Sequence, residues 1–158
     1  MKSIALKIVI SIFVVMTAAI FVHYLTESNQ ASDDGKIRVI IVDENGQTVF
    51  DDDLIILQGD NFYDILNREF SLTCASSSYQ ADDTCSDDFQ SFAYQGKILL
   101  GISNHDFNVQ TNWSDNFLAI EQYDGTDYYL ATQGVSNIDF LNKDRIRISV
   151  RSTSEGLS

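Results

Sequence analysis

Few side chains in this sequence are equipped for chemistry. Its 158 residues include two histidines, His23 and His105, and two cysteines, Cys74 and Cys85. His105 has Asp106 beside it, but no serine or cysteine nucleophile stands at a spacing that would complete a triad. G-x-S-x-G, H-E-x-x-H, the P-loop and G-x-G-x-x-G are all absent. The chain therefore reads as a non-enzyme. Cys74 and Cys85 enclose the polar stretch ASSSYQADDT. Zinc would need two further ligands, with only His105 at hand. A disulfide is the reading if the compartment is oxidising, and two free thiols are the alternative.

Carboxylates and aromatic rings are the remaining candidates. Acids cluster at Asp51-Asp52-Asp53, Asp82-Asp83 and Asp87-Asp88. Calcium takes six to eight oxygens, but no D-x-D-x-D-G spacing occurs, and successive strand residues point to opposite faces. These acids read as solubilising charge, with no metal site. Aromatic residues gather in the second half, including Tyr94. Trp113, Phe117, Tyr123, Tyr128 and Tyr129 form the candidate ligand-binding set. Of these, Trp113, Tyr123, Tyr128 and Tyr129 are expected to converge on one concave edge, where amphipathic rings suit ligand or protein contact, and plain packing is the alternative. Tyr128 and Tyr129 are neighbours and cannot both face a core. Asn112-Trp113-Ser114 also has the form of a glycosylation sequon.

The elements that would carry these residues follow from periodicity. Residues 36–43 (KIRVIIVD) and 48–57 (TVFDDDLIIL) read as strands joined through Asn45-Gly46, a strong hairpin signal. Asp60 or Asn61 caps a helix over 62–70, with Phe62, Ile65, Leu66 and Phe70 at helical spacing. Strands are expected over 92–102, 105–110, 116–123, 127–132 and 145–150. Asp124-Gly125 turns a second hairpin, and a short apolar run at 138–141 precedes the last strand. The class is α+β, a mostly antiparallel sheet with one packed helix.

Location is read from the N-terminus. Lys2 and Lys7 precede the apolar run IVISIFVVMTAAIFVHYL (8–25), the pattern of an export signal. Eighteen residues reach about 27 Å, close to the hydrocarbon thickness. Residues 1–25 are therefore read as an uncleaved signal anchor, a single transmembrane helix with the lysines inside and the remainder extracytoplasmic. If the signal is cleaved, the chain is secreted. His23 reaches the headgroup region in this reading. Residues 26–35 (TESNQASDDG) contain no large apolar side chain and read as a linker, 36–150 as the domain, and 151–158 as a polar tail. The formal net charge of −13 excludes a non-specific nucleic-acid binder and a polybasic membrane-surface mode. The exported part is more acidic still, since it holds all 23 acids but only eight of the ten bases.

Taken in order, VIIVDENGQTVFD, the helix, GKILLGI and FLAIEQYDGTDYYLATQGVSNIDFLNKDRIRI resemble the transcobalamin-like C-terminal domain family of bacterial secreted and anchored proteins. Phe117, Tyr123, Asp124-Gly125, Gly134-Val135, Leu141, Lys143-Asp144 and Ile146 stand at places of that family's distal pattern. The likeness spans 36–150. Three departures are the family's aromatic pair reduced to Asn116-Phe117 with Trp113 upstream, Asn142-Lys143-Asp144 in place of D-G-D, and the extra Cys74–Cys85 insert. The resemblance implies a β-grasp, ubiquitin-like sheet used for binding. By analogy only, it also implies a cobalamin-like small molecule captured for uptake beside a membrane transporter. No counterpart of the helical domain that helps vertebrate carriers close over the corrinoid is expected within these 158 residues. A cell-surface protein-interaction or assembly module without a small ligand is the alternative.

Overall fold

The computed structural model describes residues 11–18, 30–90, 95–112 and 114–153. Residues 11–18 are helical, and Thr17 Oγ1 donates to the Phe13 carbonyl at 2.9 Å. The other residues of the expected 1–25 anchor lie outside the described residues, among which no helix is long and apolar enough to cross a membrane.

The chain is α+β. The β-branched run forms β1 (Gly35–Val42), antiparallel to β2 (Thr48–Ile56), with Ile37 opposite Leu54 and Ile41 opposite Phe50. Of the turn residues only Gly46 has a left-handed backbone, φ 75°. Asp43 builds the rest of the turn: its carboxylate accepts from the Asn45 and Gln47 amides at 2.9 and 2.8 Å. The helix α1 (Phe62–Glu69) starts at Asn61, whose side chain accepts from the Asp64 amide while Asp64 accepts from the Asn61 amide. That reciprocal capping satisfies two amides that a helix end leaves open. Asp60, the other expected cap, instead holds Arg68 at 2.6 Å.

After α1 the structure departs from expectation. Residues Ser71–Ala75 form a strand, β3, and Ala81–Asp82 a short β4. With β5 (Leu99–Ser103) and β6 (Asn108–Gln110) they make a second sheet in the order β4-β3-β5-β6. The strand expected over 92–102 is confined to its end. Gly96, at φ 106°, bridges to Phe89, and residues 91–94 are not described. The strand expected from 105 begins at Asn108, because Asn104 Oδ1 turns the chain by accepting from the Asp106 and Phe107 amides.

The main sheet is completed by β7 (Asn116–Tyr123), β8 (Tyr128–Leu130) and β9 (Arg145–Ser152). Its order is β2-β1-β9-β7-β8, with β1 and β9 parallel and every other pair antiparallel. Residues 138–141 form no strand. A 3-10 turn (Val135–Asn137) stands before them, and Ile138 is buried. One face of the main sheet carries Ile37, Val39, Ile41, Ile120, Ile146 and Ile148 onto Phe62, Ile65 and Leu66 of α1. Leu72, Leu99, Ile102 and Val109 of the second sheet join the same core. Phe70 lies edge-on to Phe50 at 5.0 Å and 5.8 Å from Phe107, tying the helix end to both sheets.

The domain boundaries also shift. Part of the expected 26–35 linker is folded onto the domain: Ala31 is buried and exchanges backbone hydrogen bonds with Asp60 and Gly59. At the other end β9 runs past 150, so the expected tail loses Arg151 and Ser152 to the sheet. Residues 154–158 lie outside the described residues.

Candidate functional site

Strand β9 reads RIRISVRS, and its alternation separates two chemistries. Ile146 and Ile148 enter the core, while Arg145, Arg147, Ser149 and Arg151 project from the opposite, outer face. Register brings matching residues alongside. Arg38 of β1 pairs with Arg145, and Glu121 of β7 pairs with Arg147. Four of the five arginines of this acidic chain thus stand on one sheet face.

Glu121 is the centre of that face. It is fully buried, although Phe117, Ala119 and Glu121 lie on the side of β7 away from the core. Its carboxylate accepts from Arg147 Nε at 2.6 Å, from Ser149 Oγ at 3.1 Å and from Arg151 Nη2. Burying a carboxylate this deeply is tolerated only where close donors satisfy it. The hydrogen bond to Glu121 raises the Arg147 pKa against the opposing effect of burial. Both guanidinium groups remain about one-third exposed, with 31% and 38% of their side-chain surface in solvent. Two cations thus share one anion, and each keeps N–H donors turned outward.

Aromatic rings fill the space between the cations. Arg147 lies over the Tyr128 ring at 4.1 Å and Arg145 over the Tyr123 ring at 5.0 Å. The two rings are 5.1 Å apart, and Tyr123 donates to the Gly125 carbonyl at 2.9 Å. Stacking on an aromatic face orients a guanidinium plane and limits its freedom. On the β1 side Arg38 is held by Asp51 through two bonds of 2.8 and 3.0 Å, which raise its pKa. Next to this pair lies an open depression of about 590 Å³ lined by Lys36, Arg38, Lys143 and Arg145, with Asp34 and Asp53 also on its walls.

A clamped turn shapes that depression. Lys143 has a left-handed backbone at φ 74°, and its amide donates to the Lys36 carbonyl at 2.7 Å. Asn142 Oδ1 accepts from the Lys36 amide at 3.0 Å. Gly35 makes the approach possible, because a Cβ there would stand 2.6 Å from Asn142 Cγ.

The sequence-expected aromatic set divides. Tyr123 and Tyr128 share the outer face, with Phe117 on the same side of β7 opposite Arg151. Tyr129 is half exposed and pairs with Gln122, so it points to the other face and does not converge with them. Trp113 and Tyr94 lie outside the described residues. Sequence reasoning missed Glu121, Arg147 and Arg151. The available signal was the alternating arginine of RIRISVR, which marks a strand face that is not plain solvent.

The cysteine insert lies apart from that face, and its acids are engaged by nearby donors. Cys74 and Cys85 form a disulfide. Asp82 accepts from the amides and hydroxyls of both Thr84 and Ser86, bonds that hold its carboxyl well below the usual range. Asp83 takes the Thr73 hydroxyl, Asp87 the Ser77 amide and Asp88 the Ser136 hydroxyl. The four acids therefore fan out rather than converge. Among the described residues no group of His, Cys, Asp or Glu is arranged to hold a metal ion. His105 is largely exposed beside Asp106.

No protein-family model matches the sequence, and no curated protein matches it with significance.

Proposed function

We propose that the chain is an extracytoplasmic binding module, tethered to the cell membrane through its N-terminal apolar segment, and that it binds on the outer face of its main sheet. The observation that carries this reading is the interleaved row of Arg145 and Arg147 with Tyr123 and Tyr128, beside the buried Glu121 that holds Arg147. Arg147 and Arg151 share the Glu121 carboxylate, and Arg145 and Arg147 stack on tyrosine rings, so these groups lose little freedom on binding, which favours recognition. Exposed donors beside tyrosine rings are also the residue types enriched where proteins make energetic contacts. The disulfide supports an oxidising compartment.

A β-grasp assignment is supported by the strand order with a central parallel pair and by a helix that follows the first hairpin. The transcobalamin-like family remains part of the proposal on the same grounds, with a small ligand captured for uptake as the function it suggests. Phe117, Tyr123 and Tyr128 are then ligand contacts, and Tyr129 is not. The openness of the face favours one further reading, a flat contact for another surface protein.

A thermal-shift comparison tests the proposal. The full chain in non-ionic detergent is melted with cobalamins, other tetrapyrroles and anionic small molecules. A true ligand stabilises the folded state in proportion to its saturation. The expected result is a stabilising compound whose effect is lost in Tyr128→Ala and Tyr123→Ala and kept in Tyr129→Ala. A stabilising compound indifferent to all three variants would place binding elsewhere.

A further inference from the structure

The depression at the start of β1 and β9 gathers four cations, Lys36, Arg38, Lys143 and Arg145, of which only Arg38 is in an ion pair among the described residues. Among the described residues no carboxylate forms an ion pair with Lys36, Lys143 or Arg145. In a chain with 23 acids and ten bases, a chance arrangement would leave acids unpaired, not bases. Here the unpaired bases sit together, on one depression. They approach it from three directions: Lys36 and Arg38 from β1, Arg145 from β9, and Lys143 from the clamped turn.

We infer that this depression and the arginine row of β9 bind a phosphate-bearing polyanion, with one phosphate in the depression and the chain running past Arg147 toward Arg151. The inference rests on the outer face being the binding surface and specifies its ligand. Three considerations select the chemistry. A planar carboxylate is saturated by one or two forks, as Asp51 and Glu121 already are. A tetrahedral oxyanion with several oxygens suits donors that converge from different elements. The row from Arg145 to Arg151 spans about 20 Å, at roughly 3.3 Å per residue, so a single ion would leave most of it empty. The acids elsewhere on the domain act over little more than a Debye length of about 8 Å. They confine a polyanion to this row rather than excluding it.

Asp34 and Asp53 do not defeat the site. Asp34 lines the depression with its Oδ1 engaged by the Gln58 amide at 2.8 Å, and among the described residues no cation is in an ion pair with it. Asp53 lies across from Arg38 in the register and sets one edge of the depression. A carboxylate at the rim discriminates against ligands that would overrun it.

The probe is a fluorescent, base-free inorganic polyphosphate, measured by anisotropy with the full chain in non-ionic detergent. Binding is expected at low salt and should weaken by about tenfold or more between roughly 50 and 200 mM salt. Lys143→Gln and Arg145→Gln lie outside the Glu121 cluster, so they should fold, and each should weaken binding by about tenfold. Tyr129→Ala, on the other face, should leave it unchanged. No binding, or binding equal in wild type and both Gln variants, overturns the inference. So does polyglutamate of matched charge binding as tightly. Face-selective photo-crosslinking from position 128 separates the two levels. If it persists while polyphosphate fails, only the ligand class is wrong; if it fails too, the binding-face reading falls with it.

Discussion

At the scale of single residues, Glu121 has the largest consequence for its size. It is a fully buried carboxylate on the outer side of a sheet, satisfied by three side chains of one strand. Removing one partner of a buried ion pair costs about 3–5 kcal/mol when both charges are enclosed. The arginines here are partly exposed and can rehydrate, so Glu121→Ala should cost about 2–3 kcal/mol in urea unfolding. Glu121→Ala should also release the ordered Arg147–Tyr128 stack. A cost near zero would show that the carboxylate does not organise the face. Carboxylates set the pH response as well. Asp43, Asp82 and Asp124 are held below their ordinary value of 3.8, chiefly by amides and hydroxyls of their own turns. Groups lowered in the folded state add stability that is complete above their unfolded value and is lost as pH falls through the folded one. The melting temperature should therefore lose these contributions only as pH drops below 3.8. Asp124→Asn should remove part of that acid-dependent loss, and an identical pH profile would contradict the assignment.

At the scale of elements, two glycines distinguish the fixed joints from the forgiving ones. A Cβ on Gly134 would meet backbone, 2.5 Å from the Lys97 carbonyl oxygen and 2.7 Å from the Gly96 carbonyl carbon. A Cβ on Gly101 would meet only the end of the Gln110 side chain. Gly134→Ala should cost about 1–3 kcal/mol and Gly101→Ala clearly less, as read from denaturant midpoints. The reverse order would mean that the strap at 134–137 is not clamped as described. The disulfide acts at this scale too. It closes a separation of 11 residues, and its reduction should lower stability by roughly 2–3 kcal/mol. The outer-face stack should survive reduction, because the insert belongs to the second sheet.

The elements also show what could be read in advance. Both hairpins, the helix and its Asn61 cap were legible, because turn residues and 3.6-residue periodicity are local signals. Strand β3 was not, since SLTCA is short and follows the helix end directly, and its partner β5 lies more than twenty residues on. The site was half legible. Tyr123 and Tyr128 stood out as aromatic residues, but the burial of Glu121 depends on Arg147 and Arg151 arriving from a strand some 26–30 residues away. No local pattern announces that pairing. The parity that sends Tyr129 to the opposite face becomes visible only once its register with Gln122 is known.

At the scale of the whole molecule, charge is distributed in a way that composition concealed. A formal charge of −13 suggests a uniformly acidic surface. Instead the acids line the turns, the β2 edge and the cysteine insert, while the cations gather with two tyrosines on one sheet face. Behind that face lie the core isoleucines of β1 and β9. The most direct test places a photo-crosslinking side chain at position 128 or 129 of the full-length protein in its native membrane. The two positions are adjacent in sequence and differ only in the face they present. Crosslinked product from 128 and none from 129 is the result this account predicts. Equal yields from both, or product from 129 alone, would contradict it.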